Sequence, residues 1–184
     1  DTAWLLCSTA IILMMTIPGL AIYYGGMVRA SNVLATAMQS LSITCLISFL
    51  WLCLGYSLSL APVDASPSHS FIGDNSRFWL LGMDLNSFHE NAATVPEAVY
   101  CTFQLTFAIL TAALICGSFA DRMKYGSMLL FMGFWHIFVY CPIAHANWHS
   151  AGFLKKRGSL DFAGGNVVHI SSGIAGLMST IVIG

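Results

Sequence analysis

Apolar positions along this chain gather into five long runs, and the few charged residues cluster between them. The runs lie at about 4–24, 34–60, 98–120, 125–146 and 162–184. A helix of roughly 20 apolar residues crosses the ~30 Å hydrocarbon core of a bilayer. The pattern therefore predicts five transmembrane helices and an all-α polytopic membrane protein. Pro18-Gly19 falls inside the first run and is expected to kink or loosen it. The fifth run is still apolar at Gly184 and carries no stop signal, so the chain reads as incomplete at its C-terminus.

Composition narrows the class further. Only 8% of the 184 residues are charged and 57% are apolar, against roughly 25% charged in soluble domains. Seven Lys/Arg against eight Asp/Glu leave a net charge of −1. This excludes a disordered chain, a nucleic-acid binder and an ordinary cytosolic enzyme. The six cysteines (Cys7, Cys45, Cys53, Cys101, Cys116 and Cys141) each lie in an apolar run, and no two form a CxxC pair. They read as packing residues, neither a disulfide framework nor a zinc site.

Local signals place the helix ends. Thr94-Val-Pro-Glu97 reads as a capping box, and Asp161 reads as the N-cap of a fifth helix that starts at Phe162. Trp4, Tyr23, Tyr24, Tyr56, Tyr100 and Tyr125 sit where an interfacial aromatic belt would put them. The connection from Ala61 to Val95 holds Asp64, Asp74, Asp84 and Glu90 against a single Arg77 and reads as a small ordered lid. Asp64 and Asp74 are expected to face solvent. Arg29, Arg122 and Lys124 fall on one side of the membrane, and Arg77, Lys155, Lys156 and Arg157 on the other, so positive charge alone leaves the topology undecided.

Few groups carry chemistry. His169 lies inside an apolar span, where an ionisable side chain marks a pathway, a ligand site or a bond to a neighbouring helix. Gly165, His169 and Gly173 share one helical stripe, with Ser172 and Gly176 beside it. Small residues there allow close helix approach or an open channel and would put His169 in the protein interior. Phe103 and Phe107 share a face with Tyr100, either as core packing or as an aromatic constriction suited to a cation. Trp148 is either a belt anchor or one wall of a cation-π site. His145 and His149 have a spacing that chelates metal on a helix, but without an accompanying Glu they read as a polar, solvated helix end, His149 adding at most a pH-sensitive charge near the mouth. No metal or cofactor site and no hydrolase or P-loop motif is expected.

Several segments together are specific. Met15-Thr-Ile-Pro-Gly19, Tyr24-Gly-Gly-Met-Val-Arg29, Phe103-Gln-Leu-Thr-Phe107, Pro142-Ile-Ala-His145 and Asp161-Phe-Ala-Gly-Gly165 with Val168-His169-Ile170 resemble the ammonium transporter (Amt/Mep/Rh) family from about Thr9 to Gly184. The resemblance implies an eleven-helix inverted-repeat fold, of which this chain is the first half, assembled as a homotrimer with a pore in each subunit. It implies a plasma (inner) membrane location with the N-terminus outside, hence an external 61–95 loop. By position, Phe103 and Trp148 correspond to aromatic walls of an outer ammonium-recruitment site, and Asp161 to a buried aspartate supporting it. Phe107 corresponds to a pore gate, His169 to a pore histidine, and Tyr23 or Tyr24 to the lower pore.

Two departures stand out: Trp148 is followed by His149-Ser-Ala151 where the family often has glycines, and Asp121-Arg122 replaces a commoner Glu-Arg pair. The implied function is ammonium/ammonia transport, with a possible PII-type cytoplasmic regulator. The alternative is a non-conducting ammonium sensor of the same family coupled to a C-terminal signalling domain. A metal or haem enzyme built on His136, His145, His149 and His169 is a distant third.

Overall fold

The computed structural model describes residues 1–62, 70–84 and 86–184. Five helical segments in it are long and apolar enough to cross a membrane: α1 (Thr2–Gly25), α2 (Ala30–Leu60), α3 (Glu97–Ser118), the segment Tyr125–Lys156, and α6 (Gly165–Ile183). The fourth segment divides into α4 (125–148) and, after a turn, the short α5 (Phe153–Lys156). Between α2 and α3 lies an antiparallel pair, β1 (Phe88–His89) and β2 (Ala92–Pro96).

Every spanning helix except α3 contains a π-helical turn: Met15–Leu20, Trp51–Gly55, His136–Tyr140 and Gly165–Ile170. Pro18, which has no N–H to give, sits inside the first, so the expected disturbance takes the form of a widened turn. Helix α3 is the centre of the bundle and packs against α1, α2 and α6. Its alanines (Ala108, Ala112 and Ala113, all buried) let those neighbours approach closely. The core joins Ile43, Ile47 and Trp51 of α2 to Ile109 and Ile115 of α3 and Met128, Met132 and Tyr140 of α4. The outer faces of α1 and α6 stay apolar and exposed, as at Ile11, Ile22, Leu177 and Val182.

Several expectations from the sequence are corrected here. Thr94 and Glu97 do not form a capping box. Thr94 lies in β2 and donates to the Asp1 carboxylate at 2.6 Å, while Glu97 turns inward to an ion pair with Arg77 and a bond from the Tyr56 hydroxyl. The fifth helix starts at Gly165 and not at Phe162, because the chain bends through 162–164 and Gly164 takes a left-handed φ of +81°. Tyr56 and Tyr100 are buried inside the bundle and so are not belt residues, whereas Trp4, Tyr23 and Tyr125 are exposed.

The described part of the α2–α3 connection is tied down as expected of an ordered lid. Gly73 N–H donates to Leu58 O, Ser57 Oγ donates to Asp74 O, and Arg77 N–H donates to Ser57 Oγ. Asp74, expected to face solvent, is half-buried and its carboxylate accepts from the N–H and hydroxyl of Ser76. The expectation for Asp64 lies outside the described residues.

Candidate functional site

In the first half of α3, Tyr100, Phe103 and Phe107 fall at i, i+3 and i+7 and so line one face. Phe103 and Phe107 meet edge to face with centroids 5.1 Å apart. Trp148, the last residue of α4, meets Phe107 edge to face at 5.7 Å. Its indole N–H donates to the backbone carbonyl of Asp161 at 2.9 Å, which fixes the ring plane. The four residues singled out from the sequence, Phe103, Phe107, Trp148 and Asp161, thus converge on one cavity of about 320 Å³.

Asp161 works from outside its helix. One carboxylate oxygen accepts from Gly165 N–H at 2.7 Å, and the other accepts from Asn166 and Val167 N–H at 2.9 Å. It therefore satisfies three of the four orphan donors at the start of α6 while standing four residues before it. It is half-buried at the cavity wall, more open than the resemblance implied.

Asn91, Gln104 and Lys155 also line the cavity and were not singled out from the sequence. Gln104 alone carried a signal, because it sits four residues after Tyr100 and donates to the Tyr100 hydroxyl at 3.2 Å. Asn91 comes from the β1–β2 turn and donates to Trp148 O at 3.1 Å, a contact across 57 residues that no local pattern announces. Behind it, His89 stacks on Tyr100 at 4.6 Å and bonds Leu60 O. Burial lowers the His89 pKa from its ordinary 6.5, with the Arg77 charge acting the same way and Leu60 O, Glu90 and Glu97 opposing it.

His145 and His149 are fully buried, so they are not a solvated helix end. Their rings stack at 4.5 Å, and the hairpin residues His89 and Glu90 meet His149, Glu90 Oε1 lying 3.6 Å from His149 Nε2. Among the described residues, no three His, Cys, Asp or Glu side chains are placed to share a metal ion.

His169 sits in the π-helical turn that opens α6, where its own N–H reaches back five residues to Gly164 O at 2.9 Å. Its Nδ1 lies 3.1 Å from the same carbonyl, which accepts the Nδ1 proton and leaves Nε2 as the acceptor of the neutral ring. The turn packs on α3. The expected interior position does not hold within this chain: Gly165, His169 and Gly173 lie on an exposed face, and a Cβ built on Gly173 would meet nothing within 4 Å. At the opposite end of α3, Tyr23 and Tyr24 line a cavity of about 700 Å³ with Arg29, Asp121 and Arg122. Tyr24 donates to Leu114 O at 2.9 Å.

Residues 3–184 match the sequence profile of the Ammonium Transporter Family. The chain belongs to this family. An ammonium transporter of Bacillus subtilis is 45% identical over all 184 residues, which cover 44% of that protein, and one of Aquifex aeolicus is 40% identical with 42% covered. The crystal structure of Saccharomyces cerevisiae Mep2 superposes on the whole chain with a TM-score of 0.86 at 30% identity, over 40% of the Mep2 chain. Candida albicans Mep2 gives 0.84 at 32%, over 39%. A structure titled Sensor Amt Protein shares the fold, with a TM-score of 0.85 at 22% identity. The chain spans 35–44% of the length of the curated ammonium transporters it matches. Those relatives are named as transporters, a class that is not enzymatic, and five spanning helices make this chain part of a multi-pass membrane protein of the Amt/Mep fold.

Proposed function

We propose that this chain forms the recruiting half of an ammonium transporter, with the aromatic cavity as the outer binding site. The observation that carries the reading is the convergence of Phe103, Phe107 and Trp148 around one cavity, with Asp161 holding the Trp148 ring through its backbone carbonyl. Ammonium is a small, strongly hydrated cation, and leaving water requires replacement interactions. Aromatic faces supply about 2 kcal/mol or more for a desolvated cation. Carrying the intact charge further across an apolar path costs far more than that.

Releasing the proton avoids the cost: ammonium gives ammonia and a proton, the neutral molecule passes the Phe107 gate, and the proton crosses separately by way of His169, so that net charge still moves. In this reading His169 follows the Phe107 gate, and its neutral ring, with Nδ1 on Gly164 O, offers Nε2 as the proton's acceptor. Potassium has similar charge and size but no proton to shed, so the same path rejects it. The exposed face around Gly165, His169 and Gly173 is then the pore wall, closed by the part of the protein beyond the 35–44% matched here. In this reading the N-terminus faces outward in a plasma membrane, Arg29, Arg122 and Lys124 face the cytoplasm, and the subunit works within a homotrimer.

The test uses the intact protein reconstituted on a solid-supported membrane and pulsed with ammonium. A saturable inward current that potassium does not evoke supports transport. Saturable ammonium binding without current supports the sensor alternative, and the absence of both removes the proposal.

A further inference from the structure

Four consecutive apolar residues, Phe78-Trp79-Leu80-Leu81, stand in a connection that is otherwise largely polar. Trp79 and Leu80 both adopt φ +56°, a left-handed conformation that residues with bulky side chains avoid unless the surroundings enforce it. Arg77 is the clamp. Its Nε and Nη2 each donate to the Glu97 carboxylate at 3.1 Å, and its Nη1 donates to Leu81 O at 3.3 Å and to Gly82 O at 2.7 Å. Glu97 is fully buried and fixed in turn by Tyr56, so the clamp has a rigid anchor. The outcome is a turn in which Leu80 packs on the core while Trp79 and Leu81 project outward, 65% and 66% exposed.

The level of this turn along the bundle decides what it meets. It packs on the π-helical turn Trp51–Gly55, and the Trp79 ring meets Phe49 edge to face at 6.1 Å. Phe49 lies eleven residues before the end of α2 at Leu60, about 16 Å along the helix axis. With 31 residues α2 is about 46 Å long, against a hydrocarbon core of about 30 Å. Even if all the excess protruded at this end, Phe49 would sit at the edge of the hydrocarbon. Helix α3 gives an independent level: Tyr56 bonds Glu97 at the α3 start, and Phe49 lies about 10 Å further in. Phe49 also belongs to a stripe of Leu34, Met38, Leu41, Cys45, Phe49 and Leu52, all exposed, on a helix with no charged residue.

We propose that the Phe78–Leu81 turn is a membrane-interface anchor, laying Trp79 and Leu81 into the bilayer interface beside the lipid-facing stripe of α2. The occupant is lipid, because the turn continues an uncharged, exposed stripe at a depth where water is scarce. Trp79 suits that level, with an apolar ring for the chains and an N–H for the headgroup region. Through Arg77 and Glu97 the same turn ties the first residue of α3, the helix bearing Phe103 and Phe107, to the membrane surface. This holds whether or not ammonium is conducted.

The test places a spin label at Trp79→Cys in the intact protein, with its accessible cysteines (Cys7 and Cys45 here) replaced by serine, reconstituted in bilayers. Strong relaxation by oxygen with little effect of a water-soluble nickel chelate is the expected result. Chelate accessibility would place the turn in water, and accessibility to neither reagent would mean that protein covers it; each overturns the proposal. Should Trp79→Cys fold poorly, the wild type and Trp79→Phe are compared in liposomes of brominated phosphatidylcholine. The proposal requires Trp79→Phe to lose part of the lipid-quenchable fluorescence, and an unchanged quenchable fraction overturns it.

Discussion

Trp148 and Asp161 are coupled through the backbone: the indole N–H of Trp148 donates to the carbonyl of Asp161 at 2.9 Å, while the Asp161 carboxylate is fully engaged with the first turn of α6. The aspartate therefore joins the wall of the aromatic cavity to the helix that carries His169, and its charge is directed at helix N–H groups more than at the cavity. Positive charge density at a helix N-terminus favours this arrangement. Asp161→Ala is expected to lose about 1–2 kcal/mol by removing the acceptor of three N–H groups. Asp161→Asn, keeping one acceptor oxygen, should lose less. Thermal unfolding of the purified variants tests the order, and an alanine variant as stable as the wild type would exclude the capping role.

Arg77 and Glu97 form an ion pair whose carboxylate has no exposure to solvent. Removing one partner of such a pair leaves a buried charge, at a typical cost of about 3–5 kcal/mol. Arg77→Met should therefore destabilise the protein more than the double variant Arg77→Met/Glu97→Gln, in which no charge is left unpaired. A thermal-unfolding cycle of the two single variants and the double variant checks this. Equal losses in Arg77→Met and in the double variant would mean that the guanidinium acts only through its bonds to Leu81 and Gly82.

His89 supplies a pH dependence with a defined sign. Burial lowers its folded-state pKa below the ordinary 6.5, so the unfolded chain binds this proton more readily than the folded one. Its contribution to stability is complete above about pH 6.5 and is lost as the pH falls below that value. His89→Phe preserves stacking on Tyr100 and removes the titration. The loss of stability between pH 8 and pH 5.5 should be smaller in His89→Phe than in the wild type, although the variant also forfeits the bond to Leu60 O. Denaturation midpoints at the two pH values give the comparison, and parallel slopes would contradict it.

The five spans were legible because a long uncharged run leaves a chain few choices: in lipid its backbone must satisfy itself. Phe103 and Phe107 were legible as a pair because four-residue spacing is a property of the helix alone. Trp148 and Asp161 joined them only through the family resemblance, since thirteen residues of turn and short helix separate them. Local pattern failed at Thr94 and Glu97. The capping-box signature is real in the sequence, but Arg77, twenty residues upstream, and Tyr56 on another helix offered Glu97 a better-buried set of partners. The burial of His149 was hidden for a similar reason: the covering residues, His89 and Glu90, lie about sixty residues away and reach it only through the hairpin. The stripe of Gly165, His169 and Gly173 was legible as a stripe because helical spacing is local, but its exposure was not, because that depends on which neighbouring helices pack against α6.

His169 is the sharpest test of the proposed transport cycle. The side chain is exposed and, among the described residues, its one bond runs from Nδ1 to Gly164 O, so His169→Ala should fold and assemble with little change in thermal stability. Its effect belongs to conduction. Without the acceptor that follows the Phe107 gate in that cycle, ammonia and proton no longer separate at the same point, and the path either closes or admits the intact cation. Ammonium current should therefore disappear, or persist together with a new potassium current, in a membrane where the wild type responds to ammonium alone. Wild-type ammonium flux that still ignores potassium in His169→Ala would remove His169 from the selectivity mechanism and leave the cavity formed by Phe103, Phe107 and Trp148 as the only discriminating element in this half of the protein.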